Sequence, residues 1–259
     1  MRLISLFALL VVFWSGCLAQ EFPVSTPSEQ GLNEELIGEL IEIFSKEKPV
    51  SDRHSLIIIK NGYLVTEEYF NGSADMIHML QSVTKSFTSA AIGIAIEKGY
   101  IEGVEAKVLG FFPEMHDIRN LDDRKRSMEL KDILTMRTGT DYHERGRDAP
   151  HFKLNALLTG WDTFYLNRPM VCEPGSNYQY DSGGVILLSA ILKKATGKHA
   201  DGFLEEHLFT PLGIEQKWWV KNNDGHPHTG GGLFLRPKDM AKFGLLYLQK
   251  GKWNGKQII

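Results

Sequence analysis

The sequence predicts a mixed α/β fold of the α+β kind, with an antiparallel sheet beside a larger helical part. Three observations lead there. Asn61-Gly62 lies between two strand-like runs, Ser55–Ile59 and Tyr63–Tyr69, a strong two-residue hairpin signal. A run of small and apolar residues from about Ser82 to Lys98, followed by Gly99, reads as a helix apolar on almost every face and so buried centrally. Beyond it helical patterns dominate.

Residues 1–19 are set apart from the fold. Arg2 precedes an apolar run from Leu3 to Trp14 and then Ser15-Gly16-Cys17-Leu18-Ala19, the layout of an export signal whose core is too short to span a membrane. Cleavage after Ala19 would release a periplasmic or secreted protein. Lipidation of Cys17 is the competing route, and the only one that brings in a membrane. Thr26 to Gly31 then leads into a helix with Leu36, Ile37, Leu40, Ile41 and Phe44 on one stripe. In the hairpin after Pro49, the unbroken apolar first arm suits a central strand covered on both faces.

After the central helix come Val108–Pro113 and a charged loop through Asp122–Arg126. Leu130–Met136 reads as a short helix ended by Gly139, and Tyr142–Pro150 as a polar lip over a cleft. Val185–Lys194 is an apolar helix stopped by Thr196-Gly197, and Phe203–Phe209 is another. Trp218–Val220 is strand-like, its paired tryptophans reading as core residues. Pro237–Leu248 is a helix ending before Gly251. Residues 255–259 are apolar and not tail-like, so the chain is expected to be cut short. The expected division is a sheet part over about 26–75, a mostly helical part over about 76–215 and a return segment over 216–259.

Composition narrows the class. Of 259 residues 42% are hydrophobic and 24% charged, enough apolar material for one large domain or two packed ones. The net charge of −3 is spread in both signs, which argues against nucleic acid as a partner. Only Cys17 and Cys172 exist, so loss or lipidation of Cys17 leaves no internal disulfide and the fold rests on its core.

Two stretches carry chemistry. Ser82 and Lys85, three apart, share one face at the start of the central helix. The positive first turn and apolar surroundings both disfavour an ammonium there, and a neutral lysine beside a serine can take the hydroxyl proton. A second Ser-x-x-Lys, Ser45-Lys46-Glu47-Lys48, sits at the charged end of an amphipathic helix and is accidental. A hundred residues on, Glu173–Gly184 sets Tyr180 in a Pro-Gly turn and glycine-rich loop. A tyrosine there can relay a proton beside a Ser–Lys pair, or simply pack as a half-buried aromatic.

Ser82-Val83-Thr84-Lys85-Ser86-Phe87, Pro174-Gly175 with Tyr180-Asp181-Ser182, and Gly230-Gly231-Gly232-Leu233 with Pro237–Gly244 together resemble the beta-lactamase-related serine hydrolases. That group includes class C beta-lactamases, D-alanyl-D-alanine carboxypeptidases, related esterases and 6-aminohexanoate-oligomer hydrolases. Leu134–Gly139 and Gly251–Lys256 are lesser matches. The resemblance implies a beta-lactamase/penicillin-binding-protein-like fold, with Ser82 as acylated nucleophile, Lys85 and Tyr180 as its proton-transfer pair, and the Ser82 N–H as one oxyanion donor. Gln81 and Ser182 are implied on the substrate side. The implied substrate is a small ester, amide, peptide or beta-lactam, with no cofactor.

Two departures matter. Ser182 stands where the family's Tyr-x-Asn element has an amide, which leans toward the ester and amide branches. No Lys-Thr-Gly or His-x-Gly element follows Gly232; His228-Thr229-Gly230 precedes the glycine motif and reads as coincidence. The family's last sheet strands are therefore expected to be missing. The competing expectations are a non-catalytic cell-wall or peptide-binding relative, an inactive fragment, and metal hydrolysis through Asp224, His226 and His228. No Gly-x-Ser-x-Gly elbow occurs.

Overall fold

The computed structural model describes residues 21–46 and 53–259. The export-signal reading of residues 1–19, and Lys48 of the second Ser-x-x-Lys, lie outside them. Helix α1 (Glu34–Lys46) has two glutamates in its first turn and a lysine in its last, matching the helix dipole. Its stripe is half-buried at Ile37, Leu40, Ile41 and Phe44, while Leu36 is exposed.

Strands β1 (Ser55–Lys60) and β2 (Tyr63–Tyr69) form the expected hairpin. Asn61 and Gly62 both take positive φ, 53° and 85°, as a turn matched to strand twist requires. The expectation of a central β1 fails. Among the described residues β2 is its only strand partner, so β1 stays half-buried, with a C-terminal helix lying against it.

Strand β3 (His78–Met79) leads into a 3-10 turn, Gln81–Val83, and helix α2 (Thr84–Glu97). Ser82 thus sits in the tight turn, two residues ahead of the helix proper. Phe87, Ala91, Ile92, Ile94 and Ala95 are buried, but Ser86, Ser89 and Gly93 are exposed, so α2 is covered on most faces and not all.

The expected charged loop is partly helical. Asp122 caps α3 (Asp123–Ser127) by accepting the Lys125 N–H, and Lys125 is buried. Its amine donates to the carbonyls of Arg119, Leu166 and Arg168 at 3.1, 2.7 and 2.6 Å. Helix α4 (Leu130–Leu134) ends before Met136, whose φ of 56° breaks the helical path before Gly139 is reached.

Helices α5 (Pro150–Asn155) and α6 (Trp161–Leu166) precede α7 (Ser182–Thr196), which starts three residues earlier than its apolar pattern suggests. Asp181 explains the early start by capping the Gly184 N–H at 2.8 Å. Left-handed Gly197 ends α7 as expected. Helix α8 (Ala200–Leu204) passes through a π-type turn, Glu205–Phe209, into α9 (Thr210–Leu212).

Strands β4 (Lys217–Trp219) and β5 (Leu233–Leu235) complete a small antiparallel sheet of order β3-β5-β4. Trp219 is core as expected, but Trp218 is 55% exposed. Helix α10 (Pro237–Leu248) has the expected bounds and lies against β1; β6 (Lys252–Trp253) and β7 (Lys256–Gln257) pair after it. One hydrophobic core unites these elements. α2 packs against α7 and α8, and Phe87 stacks on Phe243 of α10 at 3.7 Å between ring centroids.

Candidate active site

The site begins where β3 hands over to α2. The Leu80 N–H donates to the Leu233 carbonyl at 2.8 Å, and the Leu233 N–H to Thr84 Oγ1 at 3.3 Å, so β5 fixes both sides of the turn that carries Ser82. Gln81 lies between them with a φ of 48°. A non-glycine residue held in the left-handed region costs about 1–3 kcal/mol and persists only where its surroundings enforce it. The residue before Ser82 carries that strain. Gln81 itself is exposed, as a substrate-side residue needs.

Three side chains singled out in the sequence meet here. Lys85 Nζ lies 3.0 Å from Ser82 Oγ, and Tyr180 Oη lies 2.6 Å from the same oxygen. Lys85 Nζ also stands 5.0 Å from the centre of the Tyr180 ring. Residues 98 apart in sequence thus converge on one hydroxyl, an arrangement able to move a proton onto or off it.

Ser182 does not join them. It is 4% exposed, at the first turn of α7, and its N–H donates to Glu144 Oε1 at 2.9 Å. Lys85 gives its other hydrogen bond to the Gly230 carbonyl at 2.5 Å. Ser182 is thus largely hidden at the helix start that Asp181 caps, and the Gly230 carbonyl stands beside the lysine.

That carbonyl belongs to the segment read as a coincidence. Thr229 is buried; its hydroxyl donates to the Val185 carbonyl at 2.7 Å and its own carbonyl accepts from Thr88 at 2.9 Å. A Cβ on Gly230 would lie 3.1 Å from both Ile186 Cγ1 and the Ser182 carbonyl oxygen, so glycine is what lets this loop close onto α7. His228 anchors its start, with Nε2 2.8 Å from Asn155 Oδ1. Burial pushes the His228 imidazole down to about 4, which keeps the ring neutral near pH 7.

Behind Tyr180, Asp181 accepts hydrogen bonds from the Tyr165 hydroxyl, from Thr138 Oγ1 at 2.9 Å and from the Gly184 N–H. Burial still outweighs these neutral donors and raises the carboxyl to about 6. In front, a cavity of about 690 Å³ opens between Tyr180 and the lip, lined by His143, Glu144, Arg145, Tyr178 and Gln179. The lip is irregular as expected, but Tyr142 within it is buried against Gly183.

Sequence reasoning missed Gly230, Asp181 and Glu144. The glycine run at 230–232 was the one available signal, since consecutive glycines permit close backbone approach. Among the described residues no group of three or more His, Cys, Asp or Glu is placed to hold a metal. Asp224 instead accepts from the Gly160 N–H at 2.7 Å and from the Asn222 amide, which accounts for its place in the turn.

A family model described as Beta-lactamase matches residues 54–258. The 6-aminohexanoate-dimer hydrolase of Paenarthrobacter ureafaciens is 23% identical over 218 residues, covering 79% of this chain and 54% of that protein. Among solved structures, EstCE1, described as a hydrolase with promiscuous acyltransferase activity, superposes with a TM-score of 0.71 at 15% identity, covering 86% of this chain and 75% of that one. The beta-lactamase/D-alanine carboxypeptidase from Yersinia pestis, complexed with citrate, gives 0.63 at 15% identity over 82% and 68%. The chain spans about half the length of the curated relatives it matches. At these identities the structural likeness speaks for the fold.

Proposed function

Because the chain belongs to the Beta-lactamase family, whose members supply its fold and a general hydrolase character, we propose that it is a serine hydrolase acting through an acyl-enzyme on Ser82. The observation that carries this reading is the convergence of Lys85 Nζ and Tyr180 Oη on Ser82 Oγ, at 3.0 and 2.6 Å. In the proposed cycle Ser82 Oγ attacks the substrate carbonyl as its proton passes to the Lys85/Tyr180 pair. The Ser82 N–H supports the oxyanion, and the pair returns the proton to the leaving alcohol or amine. Water, deprotonated by the same pair, then hydrolyses the ester on Ser82.

With serine at 182 that position offers no side-chain amide, which favours ester or simple amide substrates over beta-lactams. The 6-aminohexanoate-dimer hydrolase is named for an amide substrate, in keeping with that class. Export through residues 1–19 belongs to the same proposal.

A fluorophosphonate probe tests it. The folded chain should be labelled on Ser82 and lose the label in Ser82→Ala, while Lys85→Ala and Tyr180→Phe each lower kcat/KM on p-nitrophenyl butyrate by ~10²–10⁴. A folded chain that takes no label, or a label unaffected by Ser82→Ala, would overturn the reading.

A further inference from the structure

We propose that the cavity between β4 and the π-type turn is a second binding site, separate from the one at Tyr180, and that its ligand is a neutral saccharide. The cavity measures about 620 Å³ and shares no lining residue with the one beside Tyr180. Its volume falls in the range of small-molecule sites, and its wall is mostly apolar with a few polar groups, the usual make-up of such sites.

Two features point to the class of ligand. The first is aromatic. Trp218 is 55% exposed, and its ring leans on Phe234 at 4.9 Å between centroids, so a large flat apolar surface is held in place and left partly uncovered. Phe209 lines the cavity as well.

The second is the charge balance of the rim. Lys217 Nζ lies 2.8 Å from Glu205, and Lys221 Nζ lies 2.5 Å from Asp201. Two anions matched by two cations select no net charge. Lys217 also donates to the Ile214 and Glu215 carbonyls at 3.0 and 3.3 Å and is fully engaged, so it is the Lys221–Asp201 pair that sets a free donor beside an acceptor. Two adjacent hydroxyls answer that pattern, one accepting from the amine and the other donating to the carboxylate. A pyranose offers both surfaces: a face of C–H groups for the indole and an edge of vicinal hydroxyls for this ion pair.

The π-type turn serves the same wall, because it interrupts the helix and carries both Glu205 and Phe209 to the cavity. An aromatic peptide side chain would use the indole equally well, yet would offer no pair of hydroxyls to Lys221 and Asp201.

The test reads binding without turnover, so it stands apart from the hydrolase reading. The full chain is titrated with cellotetraose, chitotetraose and maltotetraose, following tryptophan fluorescence and calorimetric heat. At least one should bind with a fluorescence change, and Trp218→Ala should weaken it about tenfold or more, the loss of one stacked aromatic contact. Asp201→Asn should weaken it too, and both variants should hydrolyse a small soluble ester as the parent does. If Trp218→Ala does not fold, Lys221→Met takes its place, with the same weakening expected. Failure of all three saccharides to bind at millimolar concentration would overturn the proposal. So would binding that survives these substitutions, or preferential binding of a tryptophan-containing tripeptide.

Discussion

Asp181 and Asp239 are almost equally hidden, at 2% and 0% exposure, and each sits at the start of a helix. Their partners differ in kind. Asp239 is held by two cations: Arg236 Nε at 2.8 Å and Lys242 Nζ at 3.2 Å, the latter also donating to the Gly213 carbonyl at 3.0 Å. Asp181 has only neutral donors: two hydroxyls and a backbone N–H. The paired carboxylate ties α10 to the chain after α9, far from any reacting group. The one without a cation is bonded directly to the peptide of Tyr180. A buried charge without a counter-charge raises the energy of the fold, and here it lies where a phenol must be aimed. The difference separates a residue that holds the fold from one that holds the site.

The same substitution at both positions tests that separation. Asp239→Asn keeps the shape but leaves Lys242, only 2% exposed, without its counter-charge. Breaking a buried pair from one side costs about 3–5 kcal/mol, a large part of the 5–15 kcal/mol typical of a domain. Urea unfolding should show the loss as a lower midpoint at unchanged slope, while the remaining folded protein keeps its kcat.

Asp181→Asn should invert the pattern. The amide still accepts from Gly184, and the Thr138 and Tyr165 hydroxyls can turn to meet its NH₂, so stability at pH 7, where the buried charge is unfavourable, should hold or rise. What changes is the hold on Tyr180, because the three hydrogen bonds that fix the 180–181 peptide lose their charge assistance. We expect kcat on p-nitrophenyl butyrate to fall about tenfold with KM little altered, as for loss of an interaction that matters in the transition state. Equal losses of stability in the two variants, with activity untouched in both, would break the comparison.

The contrast also marks what could be read from residues alone. The Asn61-Gly62 hairpin, the bounds of α10 and the Gly197 stop are local signals, written in neighbouring residues, and the structure repeats them. Ser82, Lys85 and Tyr180 could be singled out because each is a chemically distinctive side chain in a motif of fixed spacing. The Gly230 carbonyl could not, because a backbone oxygen has no letter of its own, and its approach depends on Thr229 bonding to α7 and α2. Lys125 hid in a charged run for a similar reason: two of its three carbonyl partners lie more than 40 residues on. Strand β3 has two residues, too few for any periodicity to show.

The smallest effect is the most discriminating, because it sets Asp181 against His228 across the same pH range. The Asp181 carboxyl, at about 6, holds its proton more tightly in the folded chain than the usual 3.8. Its contribution to stability is therefore full below about pH 4 and is lost as pH rises through 6. His228, at about 4, holds its proton less tightly than the usual 6.5. Its contribution is present above pH 6.5 and lost as pH falls toward 4. Between pH 4 and 6 the two slopes oppose one another. Urea midpoints should therefore vary less with pH in the parent than in either single variant. Asp181→Asn removes the falling slope, so stability should climb more steeply with pH; His228→Gln, which can keep the bond to Asn155, should climb less or decline. If both variants follow the parent's pH profile, neither group titrates as its burial requires, and the contrast between a cation-paired and an unpaired carboxylate loses its electrostatic basis.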